Sequence, residues 1–310
     1  MARTPLAPTG PVALPDAPPR WYAHEWNRAA VYRWGAPVLG ALPRRARLAL
    51  ASAVASGIRV PVERAVVRAN LARIAPGLPA AHRERLARQV FSHFAMCFAD
   101  LISTNRRAPN LEPLLAAVEG REHLEAAMAE ARGLILMTAH LGNWELARRL
   151  LALRFARPTH VLVAAEPDSG VERFLRGGPA PVRFVTRSHP TAVVRLLAAL
   201  RRNEIVALQG DRALGTRGDV AVDFFGAPAL FPLGPFVLAR AAGAPVVPAF
   251  CVLGADRRYT ISLGEPIRVA AEGEETVALR AWVSVLEDAI RRHPEQWFNF
   301  FDCWRIPAAR

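Results

Sequence analysis

Gly133-Leu134-Ile135-Leu136-Met137-Thr138-Ala139-His140-Leu141-Gly142-Asn143-Trp144-Glu145-Leu146-Ala147 decides how the chain is read. Leu134 to Met137 is a short apolar run, the pattern of a strand buried on both faces. Thr138 to Asn143 is small and polar, and Gly142 can take a backbone conformation that other residues avoid. A helical pattern starts at Trp144, with Asn143 as a plausible cap. His140 therefore stands where a buried strand ends and a helix begins, the edge at which open α/β sheets bind ligands. Glu145 lies in the first turn of that helix, where it can fold back on the imidazole.

A neutral imidazole can accept a proton from a hydroxyl at neutral pH. A carboxylate on its far nitrogen fixes the tautomer and stabilises the imidazolium that forms, the logic of a Ser-His-Asp triad. With no serine in the arrangement, the hydroxyl is the substrate's. The plain alternative is a capping asparagine beside a histidine satisfied by a backbone carbonyl. A His-x-x-x-x-Glu spacing alone separates the two only modestly.

The surrounding residues add more. His140-Leu-Gly-Asn-Trp-Glu145-Leu-Ala resembles the His-x4-Asp/Glu block of the lysophospholipid acyltransferase superfamily, and most of all its bacterial lipid A biosynthesis (lauroyl/myristoyl) acyltransferase branch. Further stretches follow in the order that branch shows. Arg68-x-Asn70-Leu71 and Phe91-x-x-Phe94 are similar to its N-terminal region, although as bare residues Phe91, Phe94 and Phe98 read as helix core. Ile205-Val-Ala-Leu-Gln-Gly210-Asp211-Arg212 is a second buried strand ending in polar residues, so Asp211 and Arg212 should emerge at the same sheet edge as His140. Arg212 could meet a phosphate or a developing oxyanion; a loop ion pair with Asp211 is the bland reading. Asp223-Phe-Phe225-Gly226-Ala-Pro228 closely resembles a further family block, Phe231-Pro-Leu-Gly234-Pro-Phe has a glycine entering a helix whose amides suit an anion, and Gly243-Ala-Pro-Val-Val-Pro248 matches a strand closing on proline. His293-Pro-Glu-Gln-Trp297 is similar to the family's C-terminal signature. It continues Phe-Asn-Phe-Phe-Asp rather than with a basic segment, an aromatic cluster expected to pack on the sheet or border an acyl groove.

The resemblance implies an O-acyltransferase at the cytoplasmic face of the inner membrane. It takes an acyl chain from an acyl carrier protein or coenzyme A thioester and moves it to a hydroxyl of a lipid or glycolipid acceptor. His140 and Glu145 are then catalytic, and Gly142, Asn143, Asp211, Arg212, Phe225, Gly226 and Gly234 bind substrate. Backbone amides near Gly142 would stabilise the oxyanion. No cofactor and no metal are called for. A thioesterase or esterase using water is the rival reading, although no Gly-x-Ser-x-Gly elbow is present; a non-catalytic lipid-binding protein is the other.

Composition agrees with this class. The 310 residues carry a net charge of +13, 52% are hydrophobic and 22% charged, so the chain is globular and suited to anionic partners. Every basic residue other than histidine is arginine. The charge alone would also fit nucleic acid, but no nucleic-acid-binding motif accompanies it. Cys97, Cys251 and Cys303 have neither disulfide nor metal-ligand spacing, which fits a reducing compartment.

Residues 1–19 read as a Pro/Ala/Thr-rich disordered tail, 20–105 as an N-terminal helical, membrane-associating region, and 106–310 as an α/β acyltransferase domain. Trp21, Tyr22, Trp26, Tyr32 and Trp34 lie among Arg20, Arg28 and Arg33, a mixture suited to a membrane interface, with the aromatic core of an N-terminal helical bundle as the plain alternative. The apolar runs that follow are too short to span a bilayer, which predicts helices lying on the membrane. Beyond His140 strands and helices alternate, which predicts a mostly parallel central sheet flanked by helices.

Overall fold

The computed structural model describes residues 29–58, 60–104, 110–154, 157–164, 169–176 and 182–305. The 1–19 tail and the aromatic residues Trp21, Tyr22 and Trp26 lie outside them. Among the described residues four helices come first: α1 (Ala29–Ala41), α2 (Arg44–Gly57), α3 (Pro61–Ile74) and α4 (Ala80–Thr104). Pro61 opens α3 at a position where the missing N–H costs nothing. Val67, Leu71 and Ile74 recur at helical spacing and bury one face of α3.

The α/β part runs β1 (Leu115–Glu119), α5 (Arg121–Ala129), β2 (Leu134–Thr138), α6 (Trp144–Arg154), β3 (Thr159–Val163), α7 (Ser169–Arg176), β4 (Val182–Thr186), α8 (Ala192–Arg201), β5 (Ile205–Gln209), β6 (Asp219–Phe224), β7 (Ala227–Pro232), α9 (Gly234–Ala242), β8 (Val246–Leu253), β9 (Tyr259–Leu263) and α10 (Glu275–Arg292). Among the described residues seven strands form one sheet in the order β1-β9-β8-β2-β5-β3-β4. Its pairs are parallel except β8 with β9. This is the mostly parallel, helix-flanked α/β sheet the alternation predicts. The central strands β2 and β8 are apolar and buried almost throughout, as strands covered on both faces must be. Residues of α2, α3 and α4 share one apolar core with the sheet.

Two features were not legible. β1 is an edge strand with mostly exposed residues, and its run Leu115 to Val118 is half alanine, a residue that strands do not favour, so it does not stand out. The Asp223-to-Pro228 block is the turn of an antiparallel hairpin, β6–β7, apart from the main sheet. Phe225 and Gly226 form its tip with φ of 50° and 77°. That backbone suits the twist of a two-residue hairpin turn and is strained for a phenylalanine.

Among the described residues no helix is long and apolar enough to cross a membrane. The first three helices nevertheless turn apolar side chains to solvent. Trp34 and Val38 of α1, Leu50 and Val54 of α2, and Val62 of α3 are all exposed. Arg33 and Arg45 are exposed on the same helices.

Candidate active site

β2 and β5 are neighbours in parallel register, with Thr138 opposite Gln209. Two residues beyond each strand end come His140 and Asp211, and the register sets them side by side. Asp211 Oδ1 lies 2.8 Å from His140 Nδ1, and its Oδ2 accepts the backbone N–H of His140 at 2.9 Å. Both residues are buried. A carboxylate on Nδ1 makes that nitrogen the protonated one and leaves the lone pair on Nε2. Burial, and next the Arg212 guanidinium, hold the His140 imidazole below its ordinary value against the opposing pull of Asp211. Burial would raise the Asp211 carboxyl, but His140 and Arg212 outweigh it and keep it below its usual range. A neutral imidazole beside an ionised carboxylate is an arrangement that can accept a proton.

The carboxylate on Nδ1 is thus Asp211, where the spacing had suggested Glu145. Glu145 instead accepts the Arg148 Nε–H at 2.8 Å, one helical turn along α6. It lines the same cavity as His140 and favours its protonated form through charge alone. A first-turn glutamate three residues before an arginine has a closer partner than the imidazole behind it.

The His140 loop is held from several sides. Asn143 caps α6 by accepting the Leu146 N–H at 3.1 Å. Its side-chain amide donates to the Cys97 carbonyl and to the Tyr259 hydroxyl, each at 3.1 Å. Tyr259 donates in turn to Asp100, whose fully buried carboxylate also takes Arg44 and Arg47 of α2. Gly142 has φ 63°, and a Cβ there would stand 2.0 Å from the Cys251 carbonyl oxygen of β8. Only glycine fits both demands.

The C-terminal segment closes the other side. The Gly142 N–H donates to Gln296 O at 2.9 Å, and the Phe298 N–H donates to His140 O at 2.8 Å. Gln296 is fixed by its side chain, which brackets Leu253 through that residue's N–H and carbonyl. Phe298 and Phe300 border the cavity, the role expected for the C-terminal aromatic cluster. The Asn143 N–H is likewise committed, to Cys251 O at 2.7 Å. The amides of His140, Gly142 and Asn143 are therefore spent on the fold.

The cavity beside His140 has a volume of about 280 Å³ and a mainly apolar wall. Gly142, Asn143 and Arg212 border it. Arg212 donates to Phe298 O at 2.9 Å and lies over the Phe301 ring. Burial lowers its guanidinium to about 10, which keeps it cationic at neutral pH. Cys97 also borders the cavity, but burial pushes its thiol up to about 12, so it acts as an apolar wall and not a nucleophile. Phe225, Gly226 and Gly234 do not line it. The Phe225 N–H is tied to Glu287 of α10 and its ring lies under Arg291. Gly234 begins α9, which packs against α8 and α10. The block's contribution to the interior is Phe224, stacked on Trp304.

Comparison with known proteins agrees with this architecture. The family model described as bacterial lipid A biosynthesis acyltransferase matches residues 21–306. The phosphatidylinositol mannoside acyltransferase of Mycobacterium tuberculosis (strain CDC 1551 / Oshkosh) is 29% identical over 254 residues, which is 77% of this chain and 76% of the relative. The Mycolicibacterium smegmatis protein of the same name is 27% identical over 251 residues, 77% of this chain and 78% of the relative. With the family model spanning nearly the whole sequence, the chain belongs to the bacterial lipid A biosynthesis acyltransferase family and is an acyltransferase of lipid biosynthesis.

Proposed function

We propose that the protein transfers a fatty acyl chain from a thioester, carried on acyl carrier protein or coenzyme A, to a hydroxyl of a phosphoglycolipid at the membrane surface. The observation that carries this is the His140–Asp211 pair set against a largely apolar cavity. His140 Nε2 takes the proton of the acceptor hydroxyl, and the oxygen attacks the thioester carbonyl carbon. Asp211 stabilises the imidazolium formed. Arg212 faces the negative charge that develops on the carbonyl oxygen. Collapse of the tetrahedral intermediate breaks the C–S bond, the proton on His140 passes to the departing sulfur, and ester and free thiol leave. Glu145 and Arg148 shape the cavity mouth beside this pair.

The relatives' name points to an acceptor of the phosphatidylinositol mannoside type, with sugar hydroxyls and an anionic phosphodiester. The net charge of +13 suits that phosphodiester and an anionic bilayer. The exposed apolar side chains of α1, α2 and α3, with Arg33 and Arg45 beside them, form the face that rests on the cytoplasmic side of the inner membrane.

Incubation with labelled acyl carrier protein or coenzyme A thioester and membrane lipid tests the reading. Label entering one glycolipid, and lost in His140→Ala, supports it. Fatty acid released without any acylated lipid would replace it with a thioesterase.

A further inference from the structure

We propose that Tyr32 is the end stop of the acyl-binding cavity and sets the length of the chain transferred; this rests on the acyl-transfer reading above. A continuous path of rings leads from the base to this residue. His140 meets Trp144 at 4.8 Å between centroids, Trp144 meets Phe298 at 6.3 Å, and Phe298 meets Phe94 at 5.3 Å. Phe94 stacks on Phe98 at 6.3 Å, and Phe98 meets Tyr32 edge-on at 5.4 Å. The cavity follows the same course, since Phe94, Cys97, Phe98 and Leu101 all border it from one face of α4. At 1.5 Å per residue, Phe94 to Leu101 spans about 10 Å of wall. That stretch of α4 carries Asp100, but Asp100 points away into its ion-pair network. Among the described residues, the His140 imidazole and the charged side chains of Glu145, Arg148 and Arg212 border the cavity. The apolar residues Val161 to Val163 of β3 also border it. Arg148 reaches over Phe184 of β4, whereas the α4 wall that leads from the His140 end to Tyr32 is hydrocarbon surface.

Tyr32 stands across that course. It is buried while Trp34 and Val38 of the same helix face solvent. Phe174 of α7 meets its ring at 5.1 Å, and Ile102 and Val171, both buried, belong to the same apolar cluster. A chain whose carbonyl lies at His140 and whose tail follows α4 meets the Tyr32 ring, with packed side chains behind it. Each methylene that fits or fails to fit in such a pocket changes a rate ratio by roughly 10–200-fold.

The test uses the full chain, a homologous series of saturated acyl thioesters and one fixed acceptor, with kcat/KM read for each length. Tyr32→Ala should move the optimum to longer chains and Tyr32→Trp to shorter ones, with the KM for acceptor unchanged. The ratio between adjacent lengths should shift by about tenfold or more. Should Tyr32→Ala not fold, as judged by its thermal transition, Tyr32→Trp decides alone. Folded variants with the wild-type length profile would overturn the end stop while leaving acyl transfer intact. A wild-type protein that transfers no acyl group from any thioester would remove both.

Discussion

His140 and Asp211 are 71 positions apart in sequence and joined by two contacts, Nδ1 to Oδ1 at 2.8 Å and backbone N–H to Oδ2 at 2.9 Å. One carboxylate therefore fixes both the tautomer and the position of the base. Replacing it should cost nearly as much as replacing the imidazole. His140→Ala should lower acyl transfer by about 10²–10⁴-fold, and Asp211→Asn by a loss of similar order. Glu145→Gln, which breaks a partly exposed pair with Arg148, should lose only a few-fold, matching ~1 kcal/mol or less. Steady-state rates with thermal transitions recorded beside them check this ranking. Glu145→Gln as damaging as Asp211→Asn would reverse the two carboxylates' roles.

The depressed imidazole has a signature in the pH profile. Activity should rise with pH through an apparent pKa below 6.5 and then level off, because the working form is the neutral base. Asp211 is the group pulling that value upward, so Asp211→Asn should move the rising limb to lower pH while lowering the plateau. A limb that stays in place, or moves up, would show that Asp211 does not act on His140 in solution.

Gly142→Ala should be far more harmful than a typical surface change. The left-handed backbone alone costs about 1–2 kcal/mol for an L side chain. The Cβ would also meet the Cys251 carbonyl oxygen at 2.0 Å, and a backbone atom in a fully buried strand cannot move aside. Lost activity with a lowered thermal transition is the expected result. Wild-type turnover in this variant would mean the loop tolerates another conformation.

Asp100 offers a stability test separate from chemistry. Its carboxylate, fully buried, neutralises Arg44 and Arg47 and accepts from Tyr259. Asp100→Ala leaves two arginines facing a buried gap and should cost about 3–5 kcal/mol. Tyr259→Phe removes one hydrogen bond and should cost about 0.5–1.5 kcal/mol. Denaturant midpoints measure both. Equal costs would mean that the arginines find other partners.

Trp34→Glu and Val38→Glu change exposed side chains on α1. Each should leave the thermal transition in place. Each should weaken sedimentation with anionic vesicles by about tenfold or more, since a buried apolar side chain contributes ~1.5 kcal/mol or more. Unchanged binding in both would move the membrane face elsewhere.

The sheet was legible because its central strands must be apolar on both faces. Leu134 to Met137, Ile205 to Leu208 and Val246 to Val252 could be read as runs, and the polar residues after the first two as one sheet edge. β1 escaped because its exposed edge run, Leu115 to Val118, is half alanine, a residue that does not favour strands. The hairpin at Phe225 and Gly226 escaped because a short motif shows which residues recur and not whether their backbone turns or binds. The partner of His140 escaped for a different reason. Spacing along one helix favours Glu145, whereas Asp211 becomes a neighbour only once β5 docks beside β2 in the register that sets Thr138 opposite Gln209. The support from Tyr259 and Gln296 is likewise long-range, and only the Pro-Glu-Gln-Trp signature hinted at the second.

The grip of Gln296 and Phe298 on the His140 loop also orders events during synthesis. A ribosome that has delivered His140 and Asp211 must still deliver β8, β9 and α10 before the loop's last hydrogen bonds can close. Contacts so distant along the chain form late. The nascent polypeptide therefore carries His140 and Asp211 in an unfinished cradle until the final aromatic segment emerges and docks.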